Sequence, residues 1–156
     1  MHSNVRLITL FIFFVAVTSV KQSDEHHDDI DMSGKAFNVF GRPLTKCGSN
    51  PVTGFYRDGF CNTGPNDFGT HTVAAVVSDA FLQFSKKRGN DLTAPHPSFP
   101  GLKDGDRWCL CVSRWKEAYD ARKEEGEAVV PRLDLEATHQ KTLETVDLDI
   151  LKKYQL

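Results

Sequence analysis

The sequence has no surplus of positive charge: 19 Lys and Arg face 21 Asp and Glu across 156 residues. No net basic field therefore exists to condense on nucleic acid or on an anionic membrane. A glycine-rich phosphate loop, a nucleophile elbow and a His-Glu-x-x-His helix are all missing, and with them the signatures of nucleotide binding, serine hydrolysis and zincin chemistry. Internal repeats are missing too, which argues against solenoids and propellers. Long apolar runs are scarce. The longest, Leu7 to Val17, is interrupted by Thr9 and is too short to cross a bilayer as a helix. What is present is a hydrophobic fraction of 40% with 10% aromatics, enough for the packed core of one ordinary domain.

The apolar run has the shape of a secretory signal. It follows a short polar stretch with one cation, and Val17 and Ser19 supply the small residues of a cleavage site. Residues 1–19 are read as a signal peptide, with an uncleaved N-terminal anchor as the alternative. Either delivers the remainder to an oxidising compartment, so the protein is expected outside the cell or in the endoplasmic reticulum lumen. Residues 20–33 include Asp24, Glu25, His26, His27, Asp28, Asp29 and Asp31. Such a segment buries too little apolar surface to offset its ordering entropy and reads as an acidic, His-containing linker. Residues 34–156 form the domain.

That domain reads as a single small two-layer α+β unit, with a mixed or partly antiparallel sheet packed against two to three helices. Thr70 to Val77, rich in Thr and Val after the turn-forming run Asn62 to Asp67, predicts a central strand with His71, Val73, Ala75 and Val77 on one face. Ser78 then caps a helix closed by Lys86, Lys87, Arg88 and Gly89. Pro95, Pro97, Pro100, Gly101 and Gly105 keep 89–106 irregular. Arg107 to Val112 predicts a second strand, with Trp108, Leu110 and Val112 facing one way and Cys109 and Cys111 the other. Ser113 is expected to cap the next helix, which ends near Gly126. Pro131 to Ala137 alternates charge with apolar residues and predicts a half-exposed strand near an edge. Gln140 to Glu144 predicts a helical turn and Asp147 the cap of a terminal helix. Phe37 to Phe40 and Phe55 to Cys61 are expected as short strands of an early hairpin.

Four cysteines, Cys47, Cys61, Cys109 and Cys111, make disulfides the default in an oxidising compartment. Residues i and i+2 of a strand lie about 7 Å apart with parallel side chains, which disfavours a Cys109–Cys111 bridge. Cys47 and Cys61 each crossing to one of the other two, or a single Cys47–Cys61 bridge with two free thiols, both remain open. The competing use of these four sulfurs is a zinc site completed by His71, with His139 nearby. Zinc ligands, however, usually come as Cys pairs two to four residues apart on a knuckle turn, not on a straight strand. A thiol or metal centre for a hydrolytic or redox step would draw on Cys109 or Cys111 with His71, Asp58 and His139. Against that, a lone His on an apolar face is more often a satisfied core residue, and turn acids such as Asp58 and Asp67 more often tie down backbone. Polar residues crowd the loops Asn62 to His71 and Gly89 to Asp106, making Arg57, Asn62, Thr63, Asn90, Asp91 and Trp108 the candidates for a pocket wall.

Several motifs point to one family. Pro51-Val52-Thr53-Gly54-Phe55-Tyr56-Arg57-Asp58-Gly59, Cys61-Asn62-Thr63-Gly64, Gly69-Thr70-His71-Thr72-Val73, Phe81-Leu82-Gln83-Phe84-Ser85, Gly105-Asp106-Arg107-Trp108-Cys109-Leu110-Cys111 and Leu135-Glu136-Ala137-Thr138-His139 occur in that order. From about residue 38 to 156 the chain resembles the domain of unknown function 2237 family. The resemblance implies a small two-layer α+β domain, found largely in bacteria, with no known reaction. Bacterial relatives typically lack a secretion signal, which raises the weight of a metal or thiol reading. This chain, however, has Gly48 and Ala74 where the family pattern often has Cys. The leading expectation is a non-catalytic binding or structural module of the secretory pathway, without cofactor or metal. Its partner would be a small ligand or a protein, not nucleic acid or, once the signal is removed, a membrane. The alternative is a metal- or thiol-dependent enzyme, zinc being the cofactor in the first case.

Overall fold

In the computed structural model residues 36–156 are described; residues 1–19, read as a signal peptide, and 20–33, read as an acidic linker, lie outside them. The order of elements is β1 (Val73–Val76), α1 (Asp79–Lys87), β2 (Arg107–Leu110), α2 (Val112–Glu125), β3 (Arg132–Leu133) and α3 (Leu148–Lys152), with 3-10 turns at Glu127–Val129 and Gln140–Glu144. The three strands form one antiparallel sheet in the order β2-β1-β3. The α+β expectation holds, β1 is central, and β3 is an edge strand.

Alternation along the strands sends each residue to one of two different interiors. Val73 and Ala75 of β1, Trp108 and Leu110 of β2 and Leu133 of β3 join Phe81, Leu82, Phe84, Trp115, Ala118 and Leu151 in the main core. Ala74 and Cys109, cross-strand partners in the register, point the other way into a small cluster with Cys47, Cys61 and Ala137. The Trp115 indole, fully buried, donates Nε1–H to the Pro131 carbonyl at 3.1 Å, so its burial leaves no polar atom unpaired. Helix α1 begins as expected, with Ser78 Oγ accepting the Phe81 N–H at 3.2 Å; removing such a cap costs about 1 kcal/mol.

Several boundaries differ from expectation, each for a local reason. The first strand starts at Val73 rather than Thr70 because Thr70 has φ 49, a left-handed conformation that breaks the extended run. The second ends at Leu110: Cys111 is the N-cap of α2, the helix starts at Val112, and Ser113 lies inside it. Of 131–137 only Arg132–Leu133 is strand. Asp134 Oδ1 accepts the N–H groups of Glu136 and Ala137 at 3.2 and 3.3 Å, an Asx turn that ends the ladder. The early hairpin is absent. At Phe37 to Phe40, Asn38 Oδ1 accepts the N–H groups of Phe40 and Arg42, and only the isolated bridges Phe37 to Pro43 and Asn38 to His139 remain. Positive φ at Gly54, Arg57 and Gly59 makes 55–61 a run of turns.

Candidate functional site

The turn that delays β1 also builds the most reactive arrangement in the described residues. Asp67 N–H donates to the Gly64 carbonyl at 2.9 Å and Thr70 N–H to the Asp67 carbonyl at 3.0 Å, a tight loop that folds His71 back over Asp67. Asp67 Oδ2 accepts the Thr63 hydroxyl at 3.0 Å and the His71 backbone N–H at 2.8 Å, while Oδ1 lies 2.5 Å from His71 Nδ1. The carboxylate is sealed, its side chain 0% exposed against 36% for the imidazole. Burial works to raise the Asp67 pKa, but hydrogen bonds from the His71 backbone and ring and from Thr63 outweigh it, and the group is held below the ordinary carboxylate value.

One hydrogen bond fastens this loop to the next element: Val112 N–H, the first of α2, donates to the Thr70 carbonyl at 3.0 Å. The N-cap of that helix is Cys111, half-buried and outside any disulfide. The Cys111 side chain at this helix start acts on the His71 imidazole and is the main reason its pKa is pushed up to about 9; burial opposes the rise and Asp67 adds to it. At neutral pH the ring is an imidazolium held between a sulfur and a buried carboxylate. Its position is tightly bounded. The Phe55 ring stacks on it with centroids 6.2 Å apart, and a Cβ at Gly69 would lie 2.5 Å from His71 Cε1, so only glycine fits beneath it.

The other sulfurs belong to a separate place. Cys61 and Cys109 form a disulfide, with Cα atoms 5.2 Å apart and a sequence separation of 48. Cys47 is buried against it, the three sulfurs lying within 4.8 Å of one another. Burial pushes the Cys47 thiol up to about 12, and nearby Arg107 offsets this only in part. Of the sulfur and imidazole ligands anticipated for zinc, Cys111 and His71 are not in this group. The disulfide adjoins the reactive loop, since Cys61 opens the segment that carries Thr63 and Asp67.

The remaining candidates are dispersed. Asp58 accepts the Phe60 N–H at 2.9 Å and, with Asn62, lines a cavity of about 350 Å³ beside Pro43 and Leu44. His139 is buried and caps the 3-10 turn after it, Nδ1 accepting the Lys141 N–H at 3.1 Å. Arg57 lies over the Trp108 ring at 5.1 Å and bonds back to the Gly54 carbonyl. Asn90 Nδ2 donates to Ser85 Oγ, and Asp91 accepts from Thr93 and pairs with Lys86, which ties down the turn after α1. Thr63 alone of the six pocket candidates touches the Cys111–His71–Asp67 group. Sequence reading assigned Asp67 to turn geometry and missed it as the partner of His71. The i, i+4 spacing carries no signal of that contact outside a helix.

A family model described as "Uncharacterized protein conserved in bacteria (DUF2237)" matches residues 37–155. No curated protein matches the chain.

Proposed function

The chain belongs to the DUF2237 family, whose description names no reaction, and we propose from its own geometry that it is a thiol-dependent acyl-transfer enzyme, with Cys111 as nucleophile, His71 as acid and base, and Asp67 as the group that orients His71. The observation that carries this reading is the grouping of Cys111, His71 and Asp67: the Val112 N–H to Thr70 carbonyl bond holds the partly accessible thiol's helix start against the loop in which His71 Nδ1 lies 2.5 Å from a buried carboxylate, and the thiol acts on that imidazole. A nucleophile within reach of a base that a third group holds in place is the general signature of covalent catalysis. In the proposed cycle the Cys111 sulfur, having given its proton to His71, attacks a carbonyl carbon and forms a thioester. The leaving group departs with the proton that His71 returns. Water then attacks the thioester, losing its proton to His71, and frees the acid and the thiol. The first turn of α2 places the positive end of its dipole where negative charge develops.

The test is chemical. Iodoacetamide at pH 7, followed by peptide mass mapping, is expected to label Cys111 at least tenfold faster in the folded protein than in the urea-unfolded chain, and His71→Ala is expected to remove the advantage. Activated ester and thioester substrates are expected to turn over in the native protein and not in Cys111→Ala. Equal labelling rates, with no turnover, would return the chain to a non-catalytic binding module.

The Cys61–Cys109 disulfide supports work in an oxidising compartment, in line with the secretory reading of residues 1–19. No helix among the described residues is long and apolar enough to cross a membrane. Fractionation of native material with N-terminal sequencing tests that reading: the protein is expected outside the cytosol with a new N-terminus near residue 20.

A further inference from the structure

Six large hydrophobic side chains are exposed among the described residues: Val52, Phe55, Tyr56, Phe68, Leu143 and Leu156. Four of them come from the two loops that hold His71. Phe68 sits between Asp67, which orients the imidazole, and Gly69, which makes room for it, and is 96% exposed. Phe55 stacks on the imidazole itself and meets Tyr56 edge to face at 5.0 Å. Tyr56 in turn reaches back across the Asp67 loop, where a Cβ at Gly64 would lie 2.3 Å from its hydroxyl. Burying a phenylalanine ring stabilises a fold, so a turn that leaves one wholly in water gains nothing from it in folding. Scattered exposed hydrophobics need no explanation, but several gathered on the loops around one nucleophile do.

We propose that Phe68, Tyr56 and Phe55 form the acyl-chain subsite of the Cys111 centre, so that the substrates are acyl donors carrying an apolar chain rather than a charged or sugar-like group. The proposal rests on the thiol-enzyme reading above. It commits to the substrate as occupant because Phe55 stacks on the imidazole and meets Tyr56, while Phe68 lies in the turn that holds that imidazole, so a chain leading away from Cys111 over Phe55 passes onto aromatic side chains. No Asp, Glu or Lys occurs between residues 68 and 78 or between 47 and 57, and Arg57, the one cation on the second segment, is turned onto Trp108. Beyond the imidazolium itself, a charged chain would meet aromatic rings on these segments.

N-alkylmaleimides test the subsite without requiring turnover, because the sulfur adds across the maleimide double bond and the neighbouring carbon takes up a proton. With labelling read at Cys111 by peptide mass mapping, the rate constant is expected to rise about tenfold from the methyl to the butyl reagent, roughly what half-burial of three methylenes supplies. A carboxyethyl reagent is expected to react no faster than methyl. Phe68→Ser, which alters only an exposed side chain, is expected to flatten the series; Leu143→Ser, remote in sequence from both loops, is expected to leave both the slope and the methyl rate unchanged. A flat series in the native protein, with Cys111 still fast and dependent on His71, would overturn the subsite and leave the nucleophile standing. An equally steep series in Phe68→Ser, or sedimentation showing a dimer that Phe68→Ser dissociates, would also overturn it. Slow labelling of Cys111 by every reagent would remove the nucleophile and the subsite together.

Discussion

Cys109 and Cys111 are separated by one residue and occupy opposite chemical settings. Cys109 lies on the sheet face turned away from the helices, 1% exposed, oxidised to Cys61 and packed beside Cys47. Cys111 stands where the strand has ended and α2 begins, partly accessible and acting on an imidazolium. In the first place burial suppresses thiolate formation, as the rise at Cys47 to about 12 records, and sulfur serves packing and cross-linking. In the second a base, a buried acid and a helix N-terminus surround the thiol, the setting in which cysteine becomes a nucleophile. The two are also mechanically joined. The disulfide pins Cys61 to β2, and with it the start of the loop that brings Asp67 to His71, so the inert sulfurs help position the reactive one.

The contrast is broken most severely by exchanging the roles. Cys111→Ala is expected to abolish turnover of any substrate found, a loss of at least a thousandfold measured as kcat/KM, while shifting stability by no more than about 0.5 kcal/mol. Asp67→Asn keeps the shape of the orienting group but removes its charge; the expected loss is two to four powers of ten in kcat. Joint replacement of Cys61 and Cys109 by Ala should do the reverse. With the cross-linked positions 48 apart in sequence, the lost stability is about 4 kcal/mol in the chain-entropy model, read as a lower midpoint in urea. Activity measured well below that midpoint is expected to fall far less than in Cys111→Ala.

Gly69 offers a smaller perturbation aimed at one ring. Gly69→Ala would place a methyl carbon 2.5 Å from His71 Cε1 and 3.1 Å from both ring nitrogens. Stacked on Phe55 and tied to Asp67, the imidazole has little freedom to retreat. Overpacking of this kind costs about 1–3 kcal/mol, and an ångström of displacement is enough to lower kcat about a hundredfold. Iodoacetamide labelling of Cys111 should slow in parallel, whereas the Cys61–Cys109 disulfide should still form.

Much of the fold was legible because its signals are local. Ser78, the cations of 86–88 and Gly89 bound a helix by capping and dipole chemistry alone, and Lys116 and Asp120, four apart on α2, do pair, at 2.7 Å. The alternation of Trp108, Cys109 and Leu110 was read correctly onto two faces. It failed two residues later: Val112 continues the apolar pattern, yet its N–H is claimed by the Thr70 carbonyl and starts a helix. The same turn hid the site. Thr70 in a left-handed conformation is not foreseeable from a Thr, a residue that favours extended backbone, and without that turn Asp67 and His71 do not meet. Asp134 failed likewise, because whether an acid continues an alternating strand or folds an Asx turn depends on partners far along the chain.

The pH dependence of stability is the smallest effect and sharpens the comparison between the two sulfur settings. The His71 pKa is raised from 6.5 to about 9 in the folded protein, so its contribution to stability is complete below pH 6.5 and is lost as pH rises through 9. Asp67, held below the ordinary aspartate value of 3.8, contributes above that pH and loses its contribution as acid protonates it. The paired groups therefore help the fold most between about pH 4 and 6.5. Because the imidazole is 36% exposed, solvent screens the interaction and the effect is modest. Urea midpoints at pH 6 and pH 9.5 should differ in the native protein and differ less in His71→Ala. The Cys111 side chain is the largest cause of the shift, so Cys111→Ala should flatten the dependence more than Thr63→Val, which touches only the far oxygen of Asp67. A native dependence unchanged by Cys111→Ala would mean that thiol and imidazole do not share a proton, and Cys111 would then be as inert as its neighbour two residues back.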